Sequence, residues 1–169
     1  MAKARENGMF NIQTEKEVSF AHIVDGSVKC GVIHGHNFVF VIEAISRTLV
    51  GGMVTDFTVL KKHIAELDHK LVLSYRQVGD GNRVYANGKE YIIPREECAI
   101  LEVEHTTAEE MAKYFAESIA EEYTNIVSIT VKVYETERSL GSYTLMKPYE
   151  EKFNVRIEKK DEEVEKLYE

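Results

Sequence analysis

Hydrophobic and polar positions alternate from early in the chain. Phe10, Ile12 and Thr14 alternate with polar residues, and Val18, Phe20 and His22 resume the alternation after a charged interruption. That period of two predicts one long or bulged strand. Gly26 and Ser27 mark a turn, and the stretch 32–46, rich in Val, Ile and Phe, predicts a second strand that begins near His34 and pairs with the first. Gly51-Gly52 ends the pattern. The period then changes: Phe57, Leu60, Ile64 and Leu67 recur at three- and four-residue steps, the stripe of an amphipathic helix with Thr55 or Asp56 as N-cap. Thr107 and Glu110 form a T-x-x-E capping box that opens a second helix with Met111, Phe115 and Ile119 on one face. Between the helices, two β-prone runs flank Asn87-Gly88, a strong hairpin signal. Ile129, Val131 and Val133 alternate strictly and predict a strand ending near Glu135, with 141–147 as its hairpin partner.

The predicted order is strand, strand, helix, inserted hairpin, helix, strand, strand. It implies an α+β domain in which a four-stranded antiparallel sheet carries both helices on one face. The segment 150–169 is a run of mixed charge with an acidic excess, read as a solvated extension.

Composition narrows the function. At 169 residues and 44% hydrophobic, the chain is long enough for one domain with a real core. The net charge of −8 argues against a general nucleic-acid or anionic-membrane binder. No apolar run approaches the roughly 18 residues of a membrane helix, and the first ten residues have no signal-peptide core. Two cysteines, Cys30 and Cys98, make no disulfide framework, so a cytoplasmic location is expected.

The chemistry concentrates in Lys29-Cys30-Gly31-Val32-Ile33-His34-Gly35-His36. On a strand, His34 and His36 point to one face, and pairing of the first two strands brings His22 beside them. Three imidazoles with one open position would make a catalytic zinc site; a closed Cys/His site that includes Cys30 is the rival metal reading, and a pair of ordinary histidines is the plain one. Asp68-His69 ends the first helix. It is either helix-end chemistry or a carboxylate that charges an imidazole for proton transfer. Glu135 shares the parity of Val131 and Val133. It either turns into solvent or offers two oxygens to a guanidine-like pair of N–H donors. Cys98 reads as a packing residue, and His63 and His105 as structural or exposed.

Taken together, the motifs 19–22, 30–36, 52–57 (Gly-Met-Val-Thr-Asp-Phe), 67–70 (Leu-Asp-His-Lys), 107–109 (Thr-Ala-Glu) and Glu135-Thr136 resemble the family of 6-pyruvoyl-tetrahydropterin synthase and 6-carboxytetrahydropterin synthase, in the family's order across about 18–145. The resemblance implies the tunnelling fold over 1–149, in which ββααββ subunits join their sheets into a barrel, with active sites between neighbouring subunits. It implies a homo-oligomer, a hexamer built as a dimer of trimers. His22, His34 and His36 match the zinc ligands, Cys30 the catalytic cysteine, and Asp68 and His69 the dyad assisting proton transfer. Glu135 matches the glutamate that grips the pterin's pyrimidine edge, and Thr107 a residue of the pterin pocket. The implied substrate is 7,8-dihydroneopterin triphosphate. Three residues between Cys30 and His34 resemble the carboxytetrahydropterin branch, which serves queuosine-type synthesis, where pyruvoyl-forming enzymes of tetrahydrobiopterin synthesis usually have five. The alternatives are a hydroxymethyl-dihydropterin-forming member and a non-catalytic metal- and pterin-binding protein. Three features depart from the family pattern: Val18-Ser19-Phe20-Ala21-His22, the insertion at about 76–101, and His105-Thr106 where a proline often stands.

Overall fold

The structure, a computed structural model, describes residues 8–148. The extension 150–169 lies outside the described residues. The chain runs β1 (Phe10–His22), β2 (His34–Ser46), α1 (Phe57–Ala65), β3 (Leu71–Ser74), β4 (Arg83–Ala86), β5 (Lys89–Ile92), β6 (Cys98–Leu101), α2 (Ala108–Glu122), β7 (Ile126–Thr136) and β8 (Ser139–Met146). Short 3-10 turns at Tyr75–Gln77 and Arg95–Glu97 flank the β4–β5 hairpin.

β1 and β2 pair antiparallel along their whole length, from Phe10 opposite Ser46 to His22 opposite His34. β7 pairs antiparallel with β2, and β8 with β7. These four strands are the ones the alternation predicts. The expected sheet nevertheless needs correction: it has six strands in the order β6-β3-β1-β2-β7-β8, and it is mixed. β3 runs parallel to the end of β1, and β6 runs parallel to β3. Both added strands are four-residue runs, Leu-Val-Leu-Ser and Cys-Ala-Ile-Leu. All four residues of β3 are buried, so it carries no in–out alternation for a sequence reading to detect. The Asn87-Gly88 turn forms as expected, with both residues at positive φ, and β4–β5 makes its own two-stranded sheet.

Both helices cover one face of the sheet. Asp56 caps α1, its carboxylate accepting from the Thr58 N–H at 2.7 Å. Leu60 and Ile64 are buried, as is Leu67 just beyond the helix, whereas Phe57 at the first position is half exposed. Thr107 caps α2, accepting from the Glu110 N–H at 3.4 Å. The return half of the capping box is absent: the Glu110 carboxylate accepts from the N–H groups of Glu104 and His105 at 2.8 and 3.0 Å, tying down the loop before the helix. Met111, Phe115 and Ile119 face the sheet.

The core between the layers is aromatic where it approaches the histidines. Phe20 stacks on Phe38 with centroids 4.0 Å apart, and Phe115 meets Phe40 edge-on at 5.5 Å. The other sheet face is polar, with Glu15, Glu17, Asn37, Glu43 and Lys132 around a shallow cavity. Phe115→Ala is expected to cost about 3–5 kcal/mol, because an almost fully buried ring leaves a cavity between rigid layers. A denaturant titration reads this as a lowered midpoint with unchanged slope.

Candidate metal centre and active site

The register of β1 on β2 places three imidazoles at the end of the core face. His22 lies opposite His34, and Phe20 opposite His36. The ring centroids are 4.5 Å apart for His22–His34, 5.2 Å for His34–His36 and 5.8 Å for His22–His36. His22 Nδ1 donates to the Thr106 carbonyl at 2.8 Å, and His34 Nδ1 donates to the Val32 carbonyl at 2.8 Å. A carbonyl only accepts, so in both rings the proton sits on Nδ1 and the Nε2 lone pair is free. The Nε2 atoms of all three rings are buried without a hydrogen-bond partner. Three inward lone pairs, two of them oriented by backbone carbonyls, are the donor set of a metal site with the usual outer support. Burial lowers the His22 pKa from 6.5 to about 4 and keeps that ring neutral at ordinary pH.

Glu135 joins this cluster. The pairing of β7 with β8 shifts between Tyr134 and Thr136, an irregularity that re-aims the intervening side chain. The Glu135 carboxylate oxygen lies 3.3 Å from His36 Nε2 and 3.6 Å from His22 Nε2. Its oxygen and one nitrogen from each of the three histidines all lie within 4.8 Å of one another. Of the two placements the sequence left open for Glu135, the side chain takes the one toward the histidines.

Cys30 and Thr107 line the cavity beside the cluster, about 230 Å³, together with His22, Glu135 and Gly141. Cys30 is a free, half-buried thiol. It is not among the residues whose ligand atoms converge on the histidine centre. The Thr107 hydroxyl is engaged as the α2 cap at the edge of this cavity.

Asp68 and His69 lie elsewhere. His69 takes a left-handed conformation, φ 59°, and its N–H donates to the Ser19 carbonyl at 2.8 Å. The Ser19 N–H donates back to Asp68 Oδ1 at 2.9 Å, a bond that holds the Asp68 carboxyl below its ordinary pKa. The other Asp68 oxygen is 3.2 Å from His69 Nδ1. This pair is formed, but the His69 ring is 83% exposed and borders a larger, open cavity of about 820 Å³ with Ser19, Ala21, Gly35 and Asn37, which His36 also lines. The structure does not bring the pair into the cavity of Cys30.

Some participants were invisible in the sequence. Thr106 is fully buried; its carbonyl accepts the hydrogen bond from His22 Nδ1–H and its hydroxyl donates to Ile23 O at 3.1 Å. A backbone carbonyl leaves no sequence signal. His63, read as structural or exposed, meets Glu122 at 2.7 Å, and Lys62 meets the same carboxylate at 2.8 Å. Cys98 behaves as the packing residue expected, with burial raising its thiol pKa.

A two-layer α+β domain whose imidazoles converge beside a free thiol defines a class of candidate metal centres. The comparisons give the class its family. The family model for 6-pyruvoyl tetrahydropterin synthase matches residues 11–145, and the chain belongs to that family. A Pyrococcus horikoshii protein named "Putative 6-carboxy-5,6,7,8-tetrahydropterin synthase" is 36% identical over 135 residues, 76% of this chain and 86% of that one. A Methanocaldococcus jannaschii protein of the same name is 38% identical over 120 residues, 64% of this chain and 74% of the other. Among solved structures, the Plasmodium falciparum 6-pyruvoyl tetrahydropterin synthase shares the fold with a TM-score of 0.68 at 22% identity, covering 83% of this chain and 99% of that one. The Caenorhabditis elegans 6-pyruvoyl tetrahydropterin synthase gives 0.51 at 18% identity, covering 80% and 95%. At those identities the structures speak for the fold alone.

The lowered His22 pKa sets a pH dependence for metal-stripped protein. Above pH 6.5 neither folded nor unfolded His22 holds the extra proton; between 6.5 and 4 only the unfolded chain takes it up. Stability from this group is therefore complete above 6.5 and falls as the pH drops through that window, by about 1.4 kcal/mol per unit. Denaturant midpoints of chelator-treated protein against pH should show this slope, and His22→Asn should lack its share of it.

Proposed function

We propose that the protein is a zinc-dependent lyase acting on 7,8-dihydroneopterin triphosphate, with 6-carboxy-tetrahydropterin as product and 6-pyruvoyl-tetrahydropterin as the nearest alternative. The observation that carries this reading is the convergence of three partnerless Nε2 atoms beside the cavity of Cys30. The archaeal relatives' names and the three-residue spacing between Cys30 and His34 favour the carboxy product. His22, His34 and His36 would hold the zinc, which when bound supplies Lewis-acid polarisation of the substrate's side-chain hydroxyls.

The chain's own residues divide the remaining work. Cys30, as thiolate, removes a proton from the substrate side chain, and triphosphate leaves. This alone balances the pyruvoyl product, whereas the carboxy product also needs one water and cleavage of the bond between the first two side-chain carbons, the outer two leaving as acetaldehyde. His69 manages the second proton transfer, with Asp68 kept ionised by the Ser19 N–H and able to stabilise the charged ring. Glu135 accepts the paired N–H donors of the 2-amino-4-oxo pyrimidine edge, and Thr107 borders the same pocket. Because Asp68 and His69 stand apart from Cys30 within one subunit, the dyad serving a given Cys30 comes from a neighbour. A cavity of about 230 Å³, below the roughly 300–1,000 Å³ of typical small-molecule sites, fits a pocket that a neighbour completes. The assembly is a homo-oligomer, proposed as a hexamer formed from two trimers, whose barrel buries the sheet edges at β6 and β8. No helix among the described residues is long and apolar enough to cross a membrane.

The distances at Glu135 favour a second reading of that residue, as a fourth metal ligand in place of a pterin anchor. The two are separated by Glu135→Ala. As an anchor, its loss weakens pterin binding by about tenfold or more and leaves zinc content unchanged; as a ligand, zinc affinity falls instead. His34→Ala should retain no zinc after dialysis, measured by metal analysis against one per subunit in the parent. Cys30→Ala should keep zinc and pterin affinity while losing turnover.

The deciding experiment is incubation of the zinc-loaded protein with dihydroneopterin triphosphate and identification of the product by mass. A carboxy product confirms the proposal, a pyruvoyl or hydroxymethyl product moves the chain to another branch, and no product at all leaves only a binding protein. Mixing inactive Cys30→Ala with inactive His69→Ala should restore part of the activity once subunits exchange. Failure to complement in demonstrably mixed oligomers would place both residues in one subunit's site.

A further inference from the structure

The inserted hairpin is the part of this chain that the family reading leaves without a task, and its tip docks on the loop that carries Cys30. That loop, residues 23–33, has few bonds of its own: Val24 N–H donates to Cys30 O at 2.9 Å, Ser27 N–H to Val24 O at 3.2 Å, and Cys30 N–H to Ser27 Oγ at 2.9 Å. Val28 at its crest is fully exposed. Besides the Thr106 hydroxyl on Ile23 O, the remaining side-chain restraint comes from 52 to 62 residues further along the chain. The Asn87 carboxamide spans the cysteine turn: Oδ1 accepts from Gly26 N–H at 3.3 Å, and Nδ2 donates to Gly31 O at 3.2 Å. The Asn87 N–H donates to Asp25 Oδ1 at 2.7 Å, while Gln77 Nε2 donates to Asp25 Oδ2 and to Ile23 O, both at 3.0 Å.

Two further features show a fitted contact. Gly31 is buried, and a Cβ there would overlap the Asn87 carboxamide and the Ser27 carbonyl, so the residue after Cys30 permits the hairpin tip to touch its backbone. Asn87 holds φ 51°, a left-handed conformation that Asn tolerates at a hairpin turn, and β4 is anchored by Val84 packing against Leu71 and Leu73. The tip is thereby referred to β3, which pairs with β1 beside His22.

We propose that the β4–β5 hairpin is a strut that positions Cys30, with Asn87 as its positioning residue. The inference rests on the reading of Cys30 as the proton-removing group. Bridging Gly26 and Gly31 fixes both ends of a four-residue turn and thus the direction of its thiol, and small displacements of a reacting group cost much rate.

Asn87→Gly tests it cleanly, since glycine keeps the left-handed turn and removes only the carboxamide. The expected result on zinc-loaded enzyme is a fall in kcat on the order of 10–100-fold with KM, zinc content and pterin affinity unchanged. Amide hydrogen exchange across 26–31 should rise while that of β1 and β2 stays as in the parent. Asn87→Asp, which keeps the acceptor for Gly26 but not the donor for Gly31, should recover part of the lost rate. The proposal is overturned if Asn87→Gly keeps kcat within about twofold, whether or not exchange rises, or if its lost rate tracks lost zinc or a collapsed melting temperature. Cys30→Ala run in parallel separates the premises. If it retains turnover, the catalytic reading of Cys30 falls and the positioning role with it, whereas inactive Cys30→Ala beside fully active Asn87→Gly refutes the strut alone.

Discussion

The whole site hangs on the antiparallel register of β1 and β2. With His22 opposite His34 and Phe20 opposite His36, three imidazoles share the core face at one end of a long two-stranded ribbon. A slip of one residue in either strand would turn its histidines to the polar face and its phenylalanines away from the helices, so the register that builds the hydrophobic core also gathers the candidate metal donors. The stacked Phe20–Phe38 pair sits where these two demands meet. Folding of the apolar layer therefore assembles the donor set, and the aromatic rings beneath it limit water at the inner side of the cluster.

Backbone carbonyls complete what the register begins. The Thr106 and Val32 carbonyls each accept from an Nδ1–H and leave Nε2 as a lone pair directed inward. Thr106 belongs to the loop before α2, held down by the Glu110 carboxylate in place of the usual return half of a capping box. A helix start on one layer thereby fixes a tautomer on the other. The same loop ends in Thr107, at the edge of the cavity shared by Cys30 and Glu135.

The division of the polar residues between two cavities has a consequence for assembly. Cys30 and Glu135 line one cavity with His22, whereas Asp68 and His69 are locked to Ser19 beside a second cavity that His36 also lines. The reciprocal bonds to Ser19 make the second group as firmly placed as the first, so movement within the subunit is a poor way to unite them. Under the proposed mechanism a neighbouring subunit would supply the second group, with the sheet edges at β6 and β8 as candidate contacts.

Much of this was legible from the chain alone, for identifiable reasons. Strict alternation located β1, β2, β7 and β8, a 3.6-residue period and two caps located the helices, and Asn-Gly located the hairpin, because each is a local signal. The same parity argument placed the three histidines together, but left the direction of Glu135 open. Four-residue parallel strands escaped, since β3 is buried throughout and shows no alternation. Sequence spacing also could not reveal that the Asn87 tip docks on the Cys30 loop, that Thr106 orients His22, or that Asp68-His69 faces another cavity. These are contacts between segments 50 to 85 residues apart, and they follow from how the layers pack rather than from any local pattern. The sequence determined which side chains share a face; the tertiary structure decided which faces meet, because only packing brings remote backbone within hydrogen-bonding reach.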